Sequence, residues 1–276
     1  MSYNNFIPTV WRENIERELE RNMVFAEDCN RDYEGDVEEK GDSVRILGVG
    51  SPTVTTTKDK NVVLEDPEDV ESTSTTLLID TMSHFNYMVG DIDKAQSVGN
   101  VMGALSDEAS LKCAGEMDKN IAKLALDRMA VLHNKTSEVA TSDNALDLLD
   151  TAAQKLYEND VSTNDKIIAV VPPWYWMRMK KRYLELDTDN SKMMKDGKVY
   201  RYGNIFIKLS NNVAVSGGDT RIMVRTKRAI AFCNPKTHVE AYRPEKMFAD
   251  AVKGYVLYGS KIVRPKEMIV LNVKPQ

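Results

Sequence analysis

Between residues 98 and 133, apolar side chains return every three or four positions: Val101, Leu105, Ala109, Cys113, Met117, Ile121, Leu124 and Leu132. No proline interrupts the run, and Asp, Glu, Lys and Asn fill the opposite side. That spacing predicts one long amphipathic helix with a single buried stripe. At 1.5 Å per residue, about 35 residues would measure roughly 52 Å. A compact chain of this length has a radius of gyration near ~19 Å, hence a diameter of roughly 48 Å. The helix would cross the whole molecule, which predicts a flat, elongated subunit built along a spine. An ordinary core helix broken near Gly115 is the alternative.

Ahead of the spine the chain changes character twice. Residues 1–10 carry Phe6, Ile7 and Val10 around Pro8, an apolar tip with no helix of its own, and read as an arm docked on something else. Residues 11–30 predict a short helix with Ile15, Leu19, Met23 and Val24 on one face and a solvated Glu/Arg face opposite. From Arg31 onward, Gly35 and Gly41 bracket an acidic turn, and 43–57 then alternates with β-branched residues like a strand. A charged, proline-marked tip follows at 58–71, and 73–89 returns as a strand. Leu77 and Ile79 share one side of it, and Phe85, Tyr87 and Val89 alternate further on. Each limb would extend about 45–50 Å at roughly 3.3 Å per residue. An isolated ribbon of that length is marginal in water, so it should lie on a neighbouring subunit.

After the spine, 134–142 reads as a polar loop, and Asp143 or Asn144 caps a helix through Asn159 with Leu146, Leu149, Ala153 and Leu156 inward. The continuous apolar run 166–171 predicts a central strand. Pro172 and Pro173 stop it and open a helix over 174–186. Strand pieces at 203–209 and 212–215 complete an α/β lobe, and several short strands fill 221–273.

No chemistry-bearing motif appears. Gly48 and Gly50 lack a third glycine and open no helix, and no phosphate-loop, zinc-protease or nucleophile-elbow pattern occurs. His84 and His238 fall in strands and His133 at a helix end, each more readily structural than catalytic. Cys29, Cys113 and Cys233 lie too far apart in sequence for a metal-ligand spacing, and their odd number predicts reduced thiols rather than a disulfide framework. Trp174, Tyr175 and Trp176 either stack a base or sugar or pack their helix on the strand beside it, the second being favoured. Arg178, Lys180, Lys181 and Arg182 either touch phosphate or, with Glu185, Asp187 and Asp189 nearby, form a solvated face or subunit contact. The net charge of −5 argues against a dedicated nucleic-acid or membrane-surface binder. No run of 18 apolar residues and no charged-then-apolar leader is present, so neither a membrane span nor a secretory signal is expected. Fourteen methionines fit an adaptable packing surface better than a chemical role. No catalytic residue, cofactor-binding residue or metal ligand is therefore nominated.

An apolar arm, a long two-stranded extension, a spine helix, an α/β lobe and further strands form a rare order of parts. It resembles the major capsid protein of tailed double-stranded-DNA bacteriophages, a fold shared with encapsulins. The segments that carry the resemblance are NNFIPTVW (4–11), NRDYEGDVEEKGDSVRI (30–46), TLLIDTMSHFNYMVGDIDKAQS (76–97) and KGYVLYGSKIVRPKEMIVL (253–271). They span almost the whole chain, and their order is more specific than any one of them.

The resemblance implies an α+β fold: an N-terminal arm (1–31), an extended β-hairpin loop (32–80), a peripheral domain with the spine helix (81–135 and 226–264) and an α/β axial domain (136–225 and 265–276). It implies a non-enzymatic structural protein, without cofactors, that self-assembles as pentamers and hexamers into an icosahedral head. Implied partners are further copies of itself, a separate scaffolding protein, the portal, a decoration protein, and packaged double-stranded DNA held without sequence-specific binding, with no membrane. A separate scaffold is expected because the chain starts directly at the arm. The implied location is the virion, after assembly in the host bacterial cytoplasm. Lys58 and Lys60 sit where some relatives cross-link neighbouring subunits, a chemistry that many relatives lack, so the resemblance leaves a cross-link open. Arms that complement their neighbours close a shell, and closed symmetry ends the assembly. A mildly acidic chain suits a DNA container, because a strongly basic lining would bind the genome and hinder its movement. An encapsulin-like compartment holding enzyme cargo is the alternative, and an enzyme with a scattered active site is a third.

Overall fold

A computed structural model describes residues 15–19, 22–32, 43–48, 56, 73–91, 101–185 and 201–275. The spine is helix α1, Val101–Lys123, of 23 residues, about 35 Å at 1.5 Å per residue. Gly115 lies inside it without a break. Its expected start at 98–100 falls outside the described residues, but its end comes ten residues before the expected 133. A 3-10 turn, Leu124–Leu126, tightens the last turn, and Asp127 then leaves in extended conformation (φ −68°, ψ 149°). The Asp127 carboxylate accepts the Met129 N–H (3.1 Å) and its carbonyl accepts that of Ala130 (3.1 Å). The chain turns, and β4 (Val131–Leu132) joins the last strand of the protein in parallel. Strand pairing overrides the helical period here, and Leu132 leaves the stripe. A spine of this length is shorter than the roughly 48 Å of a round molecule, so length alone no longer argues for a flat subunit.

Of the expected stripe, Cys113, Met117 and Ile121 are buried and Leu105, Ala109 and Leu124 partly buried, the Val101 side chain lies outside the described residues, and Met102 beside it is buried as well. The helix also buries Ser106, Ser110 and Asp118, which an apolar period does not single out. The two serines are satisfied locally: Ser110 donates to the Ser106 carbonyl (2.9 Å), and the Ser106 and Tyr87 hydroxyls share a hydrogen bond of 2.6 Å.

Tyr87 belongs to β3 (Thr81–Gly90), which with β11 (Ile230–Tyr242) and β12 (Ala249–Ile262) makes an antiparallel sheet in the order β11–β12–β3. Phe85, Tyr87 and Val89 turn one way, as their alternation predicts, and pack into the main core with Val252, Val256 and Tyr258. Gly254 sits opposite Phe85 in the register; a Cβ there would lie 2.5 Å from the Phe85 ring. The missing side chain lets that ring lie across the neighbouring strand.

The expected strand 73–89 is two strands. β2 (Thr73–Leu78) pairs with β1 (Ser43–Gly48), and the chain then breaks at Ile79–Asp80 before β3 pairs with β12. The rest of the expected hairpin, except Thr56, lies outside the described residues. Val44, Ile46, Leu77 and Ile79 form a small second core with Ala231, Cys233 and Leu257. The crossing is close at Gly259, where a Cβ would stand 2.2 Å from the Leu78 carbonyl oxygen. Backbone cannot yield as a flexible side chain does. Gly259→Ala is expected to lift the ribbon base and cost about 2–4 kcal/mol. Thermal melting measures the loss, and hydrogen exchange should show it concentrated at the amides of β1 and β2.

The second sheet has eight strands, with β13 (Met268–Lys274), β10 (Asp219–Thr226), β6 (Ile167–Val171) and β8 (Ile205–Leu209) adjacent in that order. β4 and β5 (Glu138–Val139) extend it beside β13, β7 (Arg201–Tyr202) beside β8 and β9 (Ala214–Ser216) beside β10. Every residue of β6 is buried, as its continuous apolar run predicts. Gly217 and Gly218, at φ +63° and +89°, turn β9 into β10 where other residues would be strained. Helix α2 (Ala145–Glu158) buries the four side chains expected of it, and Tyr175 and Met179 of helix α3 (Pro173–Glu185) are fully buried. Asn144 precedes α2, but its side-chain oxygen accepts from Thr141 (2.7 Å) instead of capping the helix.

Candidate functional site

The nominated side chains do not gather into a catalytic group. His84 and His238 are exposed and flank Tyr255 in one cross-strand row, with His238 and Tyr255 ring centroids 5.3 Å apart. His133 follows β4 rather than ending a helix, because the spine stops early. Partial burial and the Lys155 ammonium hold its imidazole below the usual range. Among the described residues no three His, Cys, Asp or Glu side chains are placed to hold a metal ion. Cys29, Cys113 and Cys233 are buried and form no disulfide. Among the described residues two open clefts, of about 550 and 460 Å³, flank the spine, one by Asn120 and Lys123 and the other by Leu105 and Glu108, each with mixed lining.

What the fold does bring together is the root of the N-terminal segment. Ile15, Leu19, Met23, Phe25, Ala26 and Cys29 are buried in the main core. Asp118, 1 % exposed on α1, accepts the backbone N–H groups of Val24 (2.9 Å), Phe25 (2.9 Å) and Ala26 (3.3 Å). Arg225, 0 % exposed on β10, donates to the carbonyls of Phe25 (3.0 Å) and Asp28. The segment is therefore gripped by its donors from the helix and by its acceptors from the sheet. A buried charge is tolerable when hydrogen bonds satisfy it, and here one stretch of backbone serves an anion and a cation.

Two further contacts fix the exit. Lys208 lies 2.6 Å from both Glu27 and Asp28. Burial would lower its ammonium, but the two carboxylates outweigh it and hold it above the usual range. Asn30 adds a one-residue parallel bridge beside β11: it donates to the Ile230 carbonyl and accepts from Phe232, both at 2.9 Å. Burial pushes the Asp118 carboxyl up, against the pull of the three N–H groups and Lys208. It also pushes the Cys29 thiol up, although Arg225 opposes the shift, so Cys29 is a packing residue rather than a reactive one.

No protein-family model matches the sequence, and no curated protein matches it. Solved structures do. A Mycobacterium phage Che8 structure is 26% identical, with 90% of each chain covered and a TM-score of 0.74. The capsid of cyanophage P-SCSP1u is 15% identical over 92% of this chain and 89% of that one, at 0.71. The chain has the major-capsid fold of tailed phages. A virus-like particle from Pyrococcus furiosus is also similar, at 14% identity, 95% and 98% coverage and a TM-score of 0.60.

In this capsid fold the described part of the N-terminal segment and the paired strands β1 and β2 are both seated on buried apolar residues, and the N-terminal segment is also held by a buried carboxylate and a buried guanidinium. Of the face expected on a helix over 11–30, Ile15, Leu19 and Met23 are buried and Val24 partly buried, but the described helix ends at residue 22 and a 3-10 turn follows at Ala26–Asp28; Phe6, Ile7 and Val10 lie outside the described residues, and Asp118 and Arg225 were missed. The available signal was a carboxylate beside Met117 on the buried stripe and an arginine inside the apolar run IMVRT. Of the aromatic cluster, Tyr175 packs inward as expected and donates to the Ala145 carbonyl (2.7 Å). Trp174 and Trp176 are only partly buried and lie beneath Arg178 and Lys180, at 5.2 and 5.4 Å from ring centroid to cation. Large apolar side chains remain exposed, Phe248 most of all at 87 %, beside Met247 between β11 and β12.

Proposed function

We propose that this chain is the major subunit of a tailed-phage head, assembling as pentamers and hexamers into an icosahedral shell around double-stranded DNA. The observation that carries the reading is a capsid fold shared along about nine-tenths of the chain. The subunit acts by geometry, through shell contacts, and no reaction is assigned to it. Its arm occupies 1–31 and its extended loop 32–80, with the peripheral domain at 81–135 and 226–264 and the axial domain at 136–225 and 265–276. The separation of β3, β11 and β12 from the eight-stranded sheet supports that division. One detail pulls against it: β4 sits in the peripheral range but pairs with β13 of the axial sheet.

A separate scaffolding protein, the portal and a decoration protein are its expected partners, with the virion as its location and the bacterial cytoplasm as its place of assembly. Among the described residues no helix is long and apolar enough to cross a membrane. Expressed alone or with its scaffold, the chain is expected to form capsomers or closed shells, read by sedimentation and electron microscopy. A strictly monomeric species under every condition would overturn the proposal. Shells that carry a co-purifying enzyme in place of DNA would transfer it to the encapsulin class.

A further inference from the structure

Helix α3 stands out in an acidic protein because it holds no acid until its last residue, Glu185. Before that come Arg178, Lys180, Lys181 and Arg182, against a net charge of −5 for the chain. Tyr175 and Met179 fix the buried side of the helix, so the remaining directions point outward. At 100° per residue Met177 and Lys181 form the crest, with Arg178 over Trp174 on one flank and Lys180 over Trp176 on the other. Met177 and Lys181 are exposed. Each tryptophan face thus orders a cation that would otherwise sample many rotamers, although the Arg178 Nη1 is itself buried and the cation most open to solvent is Lys181 at the crest.

We propose that this outward face of α3 contacts the phosphate backbone of duplex DNA inside the shell. The inference rests on the DNA-container reading above and adds the place of contact. Charge complementarity selects a polyanion. The tryptophan faces favour a duplex over a single strand, because each is covered by its own cation and base stacking needs an open ring. The outer surface of a helix is a convex cylinder, which suits a regular phosphate backbone better than it holds a short acidic peptide. With so few cations the contact is weak and readily broken by salt, as a container that must later release its genome requires.

The test uses the full-length unassembled chain and a short fluorescein-labelled DNA duplex, with binding followed by anisotropy across a salt series. Lys180→Gln/Lys181→Gln should flatten the slope of log K against log salt by about 1.8, at roughly 0.9 for each phosphate left without its lysine. Lys112→Gln/Lys119→Gln on the exposed side of α1, where both lysines already pair with glutamates, should leave it unchanged. Circular dichroism checks that the variants fold. An unchanged slope in the folded α3 variant overturns the contact. So does displacement of the duplex by polyglutamate at equal charge concentration, which would assign the face to an acidic protein. Shell formation is scored separately on the same samples: shells with no DNA effect refute this inference alone, while absence of shells refutes the reading beneath it.

Discussion

Replacing residues 58–70 with a two-residue Asn-Gly turn is expected to leave a folded subunit that no longer closes robust shells. The base of the ribbon has core contacts and strand pairing of its own. Val44, Ile46, Leu77 and Ile79 are buried over Ala231, Cys233 and Leu257, and β1 pairs with β2 from Ser43↔Leu78 to Gly48↔Thr73. Those contacts survive the deletion. An Asn-Gly turn closes an antiparallel pair with favourable twist, so stability should change by no more than about 1 kcal/mol. If the ribbon lies on a neighbouring subunit, as proposed, assembly should fail or yield fragile particles. Melting of the unassembled chain and sedimentation of the assembly mixture read the two halves separately. An unfolded product would make the tip part of the core. Shells as robust as the parent's would mean that the ribbon is no strap.

Asp118→Ala is expected to cost about 3 kcal/mol, a fall in Tm of roughly 5 °C for a chain of this size. Alanine leaves three backbone N–H groups without their acceptor and removes the anion that grips the segment opposite Arg225. Asp118→Asn keeps an acceptor oxygen and should cost much less. The pH dependence separates charge from hydrogen bonding. Burial raises the folded-state pKa of Asp118 above its usual value of 3.8, so the folded state binds the proton more readily than the unfolded one. That contribution is fully present below the unfolded pKa and is lost as pH rises through the folded one. The stability of the parent relative to Asp118→Asn should therefore improve as pH falls through that window. A difference that worsens on acidification would mean that the three N–H groups outweigh burial. A melting point unmoved by alanine would show that the clamp carries no load.

Elements whose cause is local were legible in the sequence. The run IIAVV gave β6, the spacing of Leu146, Leu149, Ala153 and Leu156 gave α2, and Pro173 opened α3. The errors lie where a distant partner decides. The spine ends at Lys123 because Val131 and Leu132 find Ile269 and Val270, and no window around residue 130 contains those strands. The expected limb 73–89 splits because β2 and β3 belong to different sheets; the alternation of side chains runs through Ile79 almost undisturbed and hides the change. The arm's clamp joins residues 92–94 positions apart for Asp118 and about 200 apart for Arg225. Periodicity carries no information at that separation. It sorts side chains by face, and a charged residue on a buried face looks like an interruption until its partner is seen.

The clamp also determines how the subunit bears tension. A pull on the segment ahead of Met23 reaches the Asp118 and Arg225 contacts together, one from the helix and one from the sheet, with the Asn30 bridge behind them. Hydrogen bonds loaded in parallel share a force and give way as a set, whereas bonds loaded in series open one after another like a zipper. A shell swollen by its contents would stretch such arms along their length. Strain would then spread into α1 and β10 before any single bond failed, and the arm would yield abruptly at a threshold rather than creep.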